Sequence, residues 1–177
     1  MYKDLIHKYC NGNASLEQVL LKHSTDVARR ALQIARKHPE LKANEELLLE
    51  GAMLHDIGIV RVYAPTIFCF GTEPYIRHGV LGAEILRNEG LPLHARIAER
   101  HTGTGLTAAE IIKQQLPLPH QDFTPQSIEE QIICYADKFY SKSRLDEEKS
   151  PEQAMRSLQK FGEEGISVFK DWMERFE

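Results

Sequence analysis

A chain of 177 residues, 42% apolar and 27% charged, has the size and balance of one ordinary globular domain. Its formal net charge of −4 excludes the basic footprint expected of a nucleic-acid-polymer binder, but a local cluster of cations could still hold a small anionic ligand. Cys10, Cys69 and Cys134 lack paired ligand spacing, MYKDLIHKYC lacks a signal-peptide core, and no run approaches ~18 apolar residues. Reduced thiols, a cytoplasmic location and no membrane partner are therefore the expectation.

In chain order the pattern predicts helices almost throughout. A short amphipathic segment over 2–10 meets the turn NGN, and Ser15 can then cap a helix running to about Lys37, before His38-Pro39. A helix over 44–56 ends at Gly58. The stretch 61–74 has prolines and glycine but no period, and is a candidate wall or lid. Further helices are expected over 75–88, from Pro92 to about Arg100, over 107–115, from Pro125 to about Ser143, and from Pro151 onward with a break near Gly162 or Gly165. No strand ladder is predicted. Phe169, Trp172 and Phe176 form a C-terminal aromatic stripe that suits either a homodimer contact or, preferred here, the chain's own core.

The polar residues on inward faces carry the chemistry. Leu16, Leu20, Val27, Ala31 and Ile34 mark an apolar stripe, and His23 falls on it. Asp137 lies four residues after Ile133 on the inward face of SIEEQIICYADKFY. His55 shares the inner face of LLLEGAMLHDIG, with Asp56 beside it. His78 is surrounded by apolar residues and by Gly79 and Gly82, and His101 opens the loop HTGTG. A buried carboxylate without a partner is costly, so three helices each delivering imidazole or carboxylate favour a metal site. The donor set is nitrogen and oxygen without thiolate, which suits iron, manganese, zinc or cobalt. His7, His38, His94 and His120 have no place in this pattern and are expected at the surface.

This order of residues, with His55-Asp56 in LHDIG and Asp137 in YADKF, resembles the HD-domain (HDIG-type) metal-dependent phosphohydrolases. It is similar to small single-domain members such as bacterial HD-type diadenosine tetraphosphatases. Ile59-Val60 departs from many HDIG proteins, where a lysine follows the glycine. The resemblance implies an all-α helical bundle with its metal site in an interior cleft. The HD domain would occupy 15–145, between an N-terminal helical extension over 1–14 and a C-terminal one over 146–177. It further implies that His23, His55, Asp56 and Asp137 hold one metal, and that His78, His101 and a bridging Asp56 hold a second. Iron or manganese is the expected pair of ions, with zinc, cobalt, nickel and magnesium also compatible.

Such a centre would hydrolyse a phosphoester or phosphoanhydride of a nucleotide-like metabolite. No Walker-type glycine loop is present. Asp56 and Lys138 are the expected catalytic residues, and Arg77, Arg100, Thr102 and Lys138 the expected substrate contacts, with Thr104 a further donor from the glycine loop. The alternatives are a di-iron oxygenase with the same ligands, or a non-catalytic nucleotide-binding regulatory domain.

Overall fold

A computed structural model describes residues 1–177. Its helices are α1 (Tyr2–Cys10), α2 (Ala14–Lys37), α3 (Glu45–Leu54), α4 (His78–Asn88), α5 (Pro92–Glu99), α6 (Ala108–Lys113), α7 (Ile128–Asp137), α8 (Pro151–Leu158) and α9 (Glu163–Phe176). The all-α expectation holds, apart from a two-stranded hairpin, β1 (Tyr63–Ala64) and β2 (Cys69–Phe70), within the irregular stretch after HDIG. Residues with a 3.6-residue period were legible in the sequence, whereas a hairpin of two residues per strand offers no alternation to read. No helix is long and apolar enough to cross a membrane.

Helix α2 is the longest, at about 36 Å from its 24 residues. Its N-cap is Asn13, not Ser15: the Asn13 side chain accepts from the Leu16 amide at 3.1 Å. The stripe read from the sequence is buried, with Leu16, Leu20, Val27, Ala31 and Ile34 facing the core and His23 among them. Alanines 28, 31 and 35 on α2 and Ala52 on α3 are also buried, and their small side chains let the two helices pack closely.

Helix α7 starts and ends inside its expected bounds. Ser127 and Glu130 form a capping box at its start. Beyond Asp137 the chain turns, because Ser141 accepts from the Ser143 amide and Lys149 donates its amide to the Phe139 carbonyl. The loop 139–149 is thereby folded back on the end of α7.

The C-terminal aromatic stripe lies inside the chain. Phe169, Trp172 and Phe176 are buried, and Tyr135 of α7 packs on Phe169 and Phe176 with ring centroids 5.0 and 5.4 Å apart. Burying each of these side chains is worth about 1.5–3 kcal/mol, so α9 is fastened to the bundle by its own face. The break before it falls at Gly162, whose φ of 93° suits glycine.

Candidate metal centre

The glycine of HDIG explains how two distant histidine pairs meet. A β-carbon at Gly58 would lie 1.9 Å from the His78 carbonyl oxygen and 2.4 Å from the Gly82 amide. The N-terminus of α4 therefore rests directly on the main chain after HDIG. Likewise a β-carbon at Gly79 would lie 2.8 Å from the Ala98 carbonyl, so α4 and α5 pack backbone to backbone. These contacts bring His78 and His101 against Asp56, whose own backbone (φ −102°, ψ 7°) sits in the sparsely used bridge region.

Asp56 is fully buried and its two oxygens face different partners. Oδ2 lies 3.1 Å from His23 Nε2 and 3.2 Å from His55 Nε2. Oδ1 lies 3.3 Å from His101 Nε2 and 3.5 Å from His78 Nε2. Asp137 Oδ1 completes the first group, 3.0 Å from His23 Nε2 and 3.4 Å from His55 Nε2. Two sets of buried donors result, His23–His55–Asp56–Asp137 and Asp56–His78–His101, with Asp56 common to both.

The orientation of the rings fits a cation. The Nδ1 atoms of His55, His78 and His101 donate to the carbonyls of Ala52, Tyr75 and Ala98 at 2.6, 2.7 and 2.6 Å. Each Nε2 is thereby turned inward, the arrangement that orients a ligating imidazole. Asp56 Oδ1 is buried without a hydrogen-bond partner. Burial, with His101 nearby, pushes His78 down to about 3, and burial lowers His101 as well, so both rings are neutral and offer lone pairs. His55 differs: burial opposes its charge, but Asp56 and Asp137 outweigh burial and raise it to about 9. A metal taken up there would displace a proton. Burial likewise opposes charge on Asp56 and Asp137, yet Lys142 and His55 for the former, and Lys138 and His23 for the latter, hold both carboxyls well below the usual range. The donor set thus fits a pair of divalent ions.

His78, His101 and Asp137 also line a cavity of about 500 Å³. Lys138 lines it too, donating to Asp137 Oδ2 at 2.6 Å and to the His101 carbonyl at 2.8 Å. Thr102 is on the wall, as are Ala64, Thr66 and Ile67 from the irregular stretch. Arg77 and Arg100 are not. Arg77 pairs with Glu73 at 3.0 Å, and Arg100 is held by the Thr124 carbonyl and the buried Glu130, each at 3.4 Å. His94, expected at the surface, is buried against Glu50 at 3.2 Å.

Sequence reasoning missed Lys142. Its Nζ donates to Asp56 Oδ2 at 2.6 Å from a largely buried position, placing a cation on the carboxylate shared by the two donor groups. Its one signal in the sequence is its place four residues after Lys138, which has no helical meaning once the helix has ended.

Residues 20–141 match the HD domain family. The chain is 34% identical over 139 residues to the tRNA (cytidine(56)-2'-O)-methyltransferase of Thermoplasma volcanium, a match covering 78% of this chain and 35% of that protein. An uncharacterized protein of Methanocaldococcus jannaschii is 41% identical over 107 residues, covering 60% of this chain and 56% of its own length. The chain thus spans between about a third and somewhat over half of the curated relatives it matches. In fold it is similar to the HD domain of the L. monocytogenes phosphodiesterase PgpH, with a TM-score of 0.56 at 19% identity, covering 96% of this chain and 93% of that one. The same domain in complex with cyclic-di-AMP gives 0.57 at 20% identity, over 96% and 92% of the two chains.

Proposed function

The chain belongs to the HD-domain family, and from that membership we propose that it is a metal-dependent phosphohydrolase acting on a small nucleotide-like substrate. The observation that carries this reading is the split of Asp56, with Oδ2 toward His23 and His55 and Oδ1 toward His78 and His101, beneath a cavity walled by lysines. Two divalent ions held by these residues, iron or manganese by preference, would activate water and polarise phosphoryl oxygens.

The chain's own groups supply the rest. Lys138 and Lys142 hold Asp137 and Asp56 in place and bring positive charge to the cavity, where a phosphoryl oxygen would gain a charge-assisted hydrogen bond. Thr102 offers a hydroxyl on the same wall, and Tyr75 and Phe161 are aromatic residues of the lining. The four lysines on this lining suit an oxyanion. The catalytic unit is proposed to span 15–145, with 146–177 packed on it and completing the cavity wall through Ser157, Leu158, Lys160 and Phe161.

A substrate bearing adenosine and more than one phosphoryl group is favoured, either a diadenosine polyphosphate, as the HDIG resemblance suggests, or a cyclic dinucleotide, the ligand named for the PgpH domain. Two relatives carry names tied to tRNA. With a net charge of −4 the chain as a whole would not attract a polyanion, and a small molecule is the favoured substrate. The test is a panel of nucleoside monophosphates, dinucleoside polyphosphates and cyclic dinucleotides with added Mn²⁺, Fe²⁺ or Co²⁺. Phosphate or nucleotide release with at least one class is expected, and inertness to all of them would overturn the reading.

A further inference from the structure

Four lysines line the cavity, and they differ in what they already hold. Lys138 and Lys142 are each paired with a buried carboxylate at 2.6 Å. Lys149 and Lys160 have no carboxylate partner, yet both face the same cavity.

Local structure places both, Lys149 partly buried and Lys160 at the exposed rim. Lys149 is fixed through its main chain, which donates to the Phe139 carbonyl at 2.8 Å beside the Tyr140–Glu148 bridge. Lys160 lies in the tight turn Gln159–Phe161 between α8 and α9, with its Nζ 5.0 Å from the Phe161 ring. That ring packs on the loop after His101: a β-carbon at Gly103 (φ 59°) would lie 3.1 Å from it. The turn carrying Lys160 is thus held over the loop that carries the metal-facing histidine. Burial lowers Lys149, with Lys138, Arg144 and Lys160 acting in the same direction and Asp137 opposing. A half-buried cation among like charges gains most from an arriving anion.

We propose that Lys149 and Lys160, backed by Phe161, form a second anion subsite that takes a phosphoryl group other than the one attacked at the metal centre. The substrate class is then a nucleotide with at least two phosphoryl groups, and monophosphates are poor ligands. The assignment of one phosphoryl group to the metal centre rests on the hydrolase reading; binding at the lysines does not require hydrolysis.

The experiment is calorimetric titration of the full-length, metal-loaded protein with two non-hydrolysable probes, the bis-methylene analogue of adenosine triphosphate and methylphosphonate. The triphosphate analogue is expected to bind more tightly, and K149Q/K160Q is expected to reduce that advantage at least ~10-fold, because two charge-assisted contacts are lost. K160R should retain most of it. Metal content and thermal midpoint of the double variant, matched to the parent, exclude misfolding as the cause. Equal advantage in parent and double variant, or no advantage in the parent, would overturn the subsite. If no phosphoester is hydrolysed but the lysine-dependent advantage persists, the hydrolase reading falls and the subsite stands.

Discussion

His78 and His101 point Nε2 at Nε2 across 3.0 Å, although each ring has already committed its Nδ1 hydrogen to a main-chain carbonyl. Two neutral imidazoles in that state present lone pairs to one another, and Asp56 Oδ1 adds a third acceptor 3.3 Å from His101. A cation reconciles the three, whereas a hydrogen-bonded histidine core would have paired donors with acceptors.

The pair between Lys142 and Asp56 predicts a metal-dependent stability effect. Breaking a buried pair by removing one partner costs about 3–5 kcal/mol, because the other charge is left uncompensated. Lys142→Met should show a loss of that order in urea denaturation with chelator present, and a clearly smaller loss at saturating Mn²⁺, where the ions compensate Asp56. Equal losses in the two conditions would contradict the placement of Asp56 at a cation site.

Gly58→Ala tests the close approach that assembles the site. The added methyl would meet the main chain of His78 and Gly82, which has no rotamer to yield, so a loss of about 3 kcal/mol or more is expected. Displacement of His78 should accompany it, read as weakened metal uptake in the folded fraction. A variant as stable as the parent would mean that α4 does not rest on HDIG.

How far the sequence was legible follows from these residues. His23 and Asp137 were found because helical period places each among apolar neighbours, and burial of a titratable group then needs a reason. Lys142 was invisible for the converse reason: it reaches Asp56 from a loop set by serine and main-chain hydrogen bonds, without a period. Arg77 and Arg100 looked free because their partners Glu73 and Glu130 compete for them in three dimensions, and only Glu73 is near in sequence. The glycine of HDIG could be noted but not explained until α4 was seen lying on it.

Glu130 is such a hidden structural group. It is buried, accepts from the Gln126 amide at 2.6 Å and from Arg96 at 2.8 Å, and pairs with Arg100. Glu130→Gln should cost about 2–3 kcal/mol by chemical denaturation, since charged hydrogen bonds are replaced and two arginines lose their counter-ion. Metal content per folded chain is expected to be unchanged; a fall in metal content would place Glu130 in the centre itself.

The thiols give a pH prediction. Burial pushes both Cys10 and Cys69 up to about 11, so at pH 8 almost no thiolate exists in the folded chain. Alkylation by iodoacetamide should be slow at pH 8 without denaturant and rapid in urea. Between about pH 9 and 11 the unfolded chain releases protons that the folded chain retains, so stability should fall as pH rises through that window. Fast alkylation of the native protein at pH 8 would show these residues to be accessible.

The most direct test of the metal centre is metal content per chain, measured on protein prepared anaerobically without chelator, beside the His101→Ala variant. About two equivalents of iron or manganese are expected in the parent, falling toward one in the variant, which keeps His23, His55, Asp56 and Asp137 intact. One equivalent in both proteins would contradict a second ion at His78 and His101, and no retained metal after reconstitution would contradict the metal centre altogether.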